Sequence, residues 1–96
     1  MLLEQLREMK DALNTLVAHY GASHLRVFGS VVRGEETPES DVDFVVEFPR
    51  GYDLFLQRLP LTQQLSDLLK RRVDLVPEHE LNPHIRPYVL REAVEL

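Results

Sequence analysis

The sequence predicts a small α+β domain, with helices covering a mixed sheet and elements in the order α-β-β-α-β-α. Three observations lead there. Leucine-rich stretches with apolar residues at steps of three and four open the chain and recur later in it. Short alternating or continuous runs of β-branched residues lie between them. The 96 residues suffice for one domain, taken as 1–96, and not comfortably for two. A domain of that size buries roughly 60–70% of its unfolded surface, enough for a core with little to spare.

Leu2, Leu3, Leu6, Met9, Leu13, Leu16, Val17 and Tyr20 share one face of a single amphipathic helix, and Gly21 offers its left-handed stop. "HLRVFG" sets Leu25 and Val27 against Arg26 and Phe28, a first strand. "EETPES" has turn chemistry, and "DVDFVVEF" is a second strand ended by Pro49-Arg50-Gly51. Leu61, Leu65, Leu68 and Leu69 trace a helix; Pro60 either occupies its first turn or kinks a longer helix from about Asp53. "RVDLV" is a third strand, closed by Pro77. Asn82-Pro83 opens a last helix with Ile85, Val89, Ala93 and Leu96 on one face, its boundary blurred by Pro87. The helix at 60–70 is long enough for a right-handed parallel crossover between the second and third strands. Only residues 30–40 separate the first two strands, which favours an antiparallel pair.

Composition narrows the function classes. The chain has no cysteine, which excludes disulfides and thiolate metal sites. No apolar run approaches the ~20 residues of a membrane span, and "MLLEQLREMK" reads as charged helix rather than a leader, so the expected location is the cytoplasm. A net charge of −5 argues against direct nucleic-acid binding and suits a basic protein partner or a bound metal.

Strand alternation puts Asp41, Asp43, Val45 and Glu47 on one face, and Val42, Phe44, Val46 and Phe48 on the other. A parallel third strand brings Asp74 near the first two aspartates while Val73 and Leu75 join the core. Two unit charges about 4 Å apart repel by roughly 1 kcal/mol in water and roughly 4 at an effective dielectric of 20. Such a cluster calls for a cation, and all-oxygen ligands select Mg²⁺ or Mn²⁺ over zinc. Magnesium completes its shell with water and substrate phosphates, and Gly29-Ser30 at the end of the first strand offers close backbone approach, a hydroxyl and free N–H groups to a phosphate. Together these suit two-metal nucleotidyl transfer. Arg33 suits either a phosphate or an ion pair with Glu35 or Glu36. Ser40 suits a turn cap better than a substrate contact, and Glu47 reads as solvated.

These residues resemble the minimal nucleotidyltransferase (MNT) branch of the DNA polymerase beta superfamily. Its pattern is a strand-end Gly-Ser, about ten residues, Asp-x-Asp, and a third acid on a later strand. Gly29 and Ser30, ten intervening residues, Asp41 and Asp43, and Asp74 follow it, and Arg33-Gly34 and Ser40 fit its fuller form. The tail "NPHIRPYVLREAVEL" is similar too. The resemblance implies the small nucleotidyltransferase fold, with Asp41, Asp43 and Asp74 catalytic and holding two Mg²⁺, and Gly29, Ser30, Arg33 and Ser40 at the nucleotide. It implies an antitoxin paired with a HEPN-domain ribonuclease toxin, transferring AMP from ATP to a toxin tyrosine within a stable hetero-oligomer. The alternatives are an antitoxin that acts by occlusion alone, and a detached catalytic subunit serving a small molecule or RNA.

Overall fold

A computed structural model describes residues 2–96. Its sheet has four strands in the order β3-β2-β1-β4: β1 Ser23–Phe28, β2 Val42–Glu47, β3 Val73–Pro77 and β4 Val94–Glu95. β1 and β2 are antiparallel, and β2 and β3 are parallel, as the spacing of the elements led us to expect. The helices are α1 Leu2–Glu8, α2 Lys10–His19, the single turn α3 Ser30–Arg33, α4 Leu59–Leu69 and α5 Arg86–Glu92. Among the described residues, no helix is long and apolar enough to cross a membrane.

The main core lies on one face of the sheet. Leu25, Val27, Val42, Phe44, Val46 and Leu75 point there and meet Leu6, Leu13, Val17, Leu61 and Leu65 from the helices. Full burial of such side chains contributes about 1.5–3 kcal/mol each, which is what holds so short a sheet flat against its helices. The opposite face, which carries the acids, has its own small cover: Val45 packs with Leu81 and Val89 of the C-terminal segment. Alternation in β2 therefore serves two apolar surfaces, with Asp43 at the uncovered end of the second.

Three local features differ from the sequence reading, and one of its two alternatives for Pro60, the longer helix, is realised. The first helix is two, because the Met9 N–H is shared between the carbonyls of Gln5 and Leu6 and tightens the turn; α1 then lies over α3 while α2 packs on β1 and α4. Helical structure does begin at Asp53, whose carboxylate accepts the N–H groups of Phe55 and Leu56, both at 2.9 Å. The turn Leu54–Arg58 is a π-helix: Pro60 cannot donate to Leu56, and the wider turn instead gives Arg58 N–H to the Asp53 carbonyl. The last helix starts at Arg86, not at Asn82, since Pro87 supplies no donor and suits only a first turn; the Asn82 side chain instead caps a preceding turn through His84 N–H. Finally Ala93 leaves the helix, and Val94–Glu95 pairs antiparallel with Val27 and Arg26 as β4, so Leu96 is bound to the Leu25 carbonyl and not to a helix face.

Candidate active site

The register of the sheet assembles the site. Phe28 at the end of β1 lies opposite Asp43, and Asp43 lies beside Asp74 in the parallel pair. Asp43 and Asp74 thus stand abreast on neighbouring strands, with the Gly29 turn against the first of them. Gly29 has φ +79°, a conformation that side chains rarely adopt, and a Cβ there would sit 2.5 Å from Asp43 Oδ2. Only glycine lets the backbone pass this carboxylate. Ser30 follows as the first residue of α3, and the turn closes on Gly34 in the left-handed conformation.

Electrostatics single out Asp43. Burial pushes its carboxyl above the usual range, the charges of Asp74 and then Asp41 push it the same way, Arg33 opposes them, and Glu92 adds to the repulsion. Asp41, just before β2, is more exposed and ion-pairs with Arg72, Nε to Oδ1 at 3.0 Å. Among the described residues no group of three His, Cys, Asp or Glu side chains is gathered closely enough to hold a metal ion. Asp43 and Asp74 are neighbours by register, while Asp41, two residues before Asp43, is held in its ion pair with Arg72. Beside Asp41 and Asp74 opens a cleft of about 330 Å³, lined also by Thr62, Gln63, Ser66, Arg72 and Val73.

The remaining candidates have protein partners. Arg33 pairs with Glu35, one of the two glutamates expected, and also with Glu92, each at 2.6 Å. Ser40 Oγ accepts the Thr37 N–H at 2.9 Å, the turn-capping role favoured for it. Arg71 and Arg72 strap the loop before β2 by donating to the Thr37 and Glu39 carbonyls. Glu47 faces His24 and Arg26 and stands away from the aspartates, partly solvated. The residue that sequence reasoning missed is Glu92. Its Oε2 accepts the Gly29 N–H at 3.0 Å across 63 positions of chain, and the short tail motif carries no sign of that contact.

Residues 6–96 match the family described as the nucleotidyltransferase domain. The chain belongs to that family. Protein adenylyltransferase MntA of Thermococcus cleftensis is 39% identical to this nucleotidyltransferase, over 98% of both chains. A solved structure assigned to the minimal nucleotidyltransferases is 46% identical, covers 98% of this chain and 95% of its own, and superposes with a TM-score of 0.84. The fold expected from the motif is therefore the fold observed. A crystal structure of a toxin–antitoxin pair, MntA with HpeT, superposes with a TM-score of 0.73 at 25% identity, covering 91% of this chain and 70% of that one.

Proposed function

We propose that residues 1–96 act as one minimal nucleotidyltransferase domain, an antitoxin that transfers AMP from ATP to a tyrosine of a partner HEPN ribonuclease toxin in the prokaryotic cytoplasm. The observation that carries this reading is the placement of Asp43 and Asp74 abreast, against a turn that only Gly29 can make. The similarity to a protein adenylyltransferase supports AMP transfer to protein, and the likeness to a toxin–antitoxin pair supports a toxin as the acceptor.

The donor chemistry suits divalent magnesium, and a gathered site would need Asp41 to turn from Arg72 toward Asp43 and Asp74. The donor set is all carboxylate, and Asp43 is held in a buried, repulsive setting that a cation would relieve. Asp41 and Asp43 would hold two ions, with Asp74 on the one nearer the acceptor. When bound, the metal supplies charge neutralisation at the triphosphate. Gly29 and Ser30 would bind phosphate oxygens through backbone N–H and hydroxyl, and Arg33 would exchange a carboxylate partner for a phosphate. In the transfer, the tyrosine oxygen bonds to the α-phosphorus as the bond to pyrophosphate breaks, and the tyrosine proton passes to the Asp74 carboxylate.

Intact-mass spectrometry of the toxin after incubation with this protein, ATP and Mg²⁺ tests the proposal. The expected result is addition of AMP, abolished by Asp43→Asn; an unmodified toxin in both reactions counts against it. If an Asp41→Asn, Asp43→Asn double variant still protects cells fully, occlusion and not catalysis is the neutralising step.

A further inference from the structure

Glu92 lies in the quoted tail and was given no role there, yet its carboxylate occupies two positive groups of the site. Oε2 takes the Gly29 N–H at 3.0 Å and Oε1 takes Arg33 Nη1 at 2.6 Å, with the side chain only one-quarter exposed. The position is a poor one for an acid on local grounds. Glu92 is the last residue of α5, where the helix dipole favours cations, and its charge adds to the repulsion at Asp43. What offsets these costs is the pair of charge-assisted hydrogen bonds to the turn and to Arg33.

We infer that Glu92 is an internal stand-in for a phosphate, seated on the Gly29 N–H and the Arg33 guanidinium, and that nucleotide binds by displacing it. The inference rests on the nucleotide-binding reading above. The single Gly29 N–H cannot serve both anions, so Glu92 competes with the triphosphate for it and sets its affinity. Were Glu92 to close the turn about nine-tenths of the time, apparent binding would weaken about tenfold. Displacement needs a new side-chain rotamer and leaves the backbone in place, since Val94–Glu95 immediately beyond remains paired with β1.

The test is calorimetric titration of the full chain with AMP-PNP and Mg²⁺, comparing wild type with Glu92→Gln and Glu92→Ala, alongside thermal melts without nucleotide. Both variants are expected to bind about tenfold more tightly, with a melting temperature equal to or below that of wild type. A tether with only a structural role would lower the melting temperature and leave affinity unchanged or weaker, and that result overturns the inference. Undetectable binding by wild type and both variants overturns the nucleotide reading itself, and this inference with it.

Discussion

At Asp43 burial and two neighbouring carboxylates act in the same direction, and the folded protein holds the ionised group at a disadvantage. A raised folded pKa means that the stability gained from the protonated form is complete below the ordinary value of 3.8 and is lost as pH rises through the folded value. At neutral pH the charge is therefore a net cost that asparagine removes. Asp43→Asn should raise the metal-free stability at neutral pH, with the gain fading as pH falls through the raised folded value and gone below the ordinary value of 3.8. Urea melts at several pH values check this, and a variant less stable than wild type at neutral pH would contradict it. The same substitution should abolish AMP transfer, so function and stability oppose each other at one residue. The meeting of Asp43, Asp74 and the Gly29 turn was legible in the sequence, because strand alternation and the expected pairing of the strands carry that signal. Glu92 was not, since it reaches the site from a different element at the far end of the chain.

Among the elements, the segment from Asp53 to Leu69 shows how one proline shapes a helix without ending it. Asp53 starts the helix, the π-turn absorbs the donor that Pro60 lacks, and Leu61 and Leu65 then bury fully in the core. The π-turn leaves Phe55 and Leu56 largely exposed, so it is held by the cap and by the bonds of Gln57 to the Tyr20 carbonyl and Arg58 to the Leu75 carbonyl rather than by apolar packing. Asp53→Ala should cost about 1 kcal/mol and raise amide exchange at Phe55 and Leu56; unchanged exchange there would refute the capping role. The sequence left open whether Pro60 started or kinked this helix, because both placements satisfy the leucine spacing. The short β4 escaped it altogether: two residues are too few for a periodic pattern, and Val94 and Glu95 become a strand only where β1 offers a free edge.

Across the whole molecule, the two faces of the sheet divide the work. One is closed by helices α1, α2 and α4; the other is covered only in part by α5, and the acids sit where that cover stops. A cation binding there binds the folded chain alone, so it should stabilise in proportion to its occupancy. Millimolar Mg²⁺ is expected to raise the melting temperature of wild type by a few degrees, about what 1 kcal/mol yields in a domain of this size, and to leave Asp43→Asn unmoved. Equal shifts in both proteins would place the ion elsewhere.

The sequence by itself determined the fold class, the strand pairing and the nearness of Asp43, Asp74 and the Gly29 turn, while the family came from the resemblance of its motif. The fold class, the pairing and that nearness follow from local periodicity and spacing, which a linear chain displays directly. Tertiary structure alone decided that Asp41 leans to Arg72, that Arg33 divides itself between Glu35 and Glu92, and that a helix-end glutamate closes the Gly29 turn. Those choices depend on which distant charges the packing brings together.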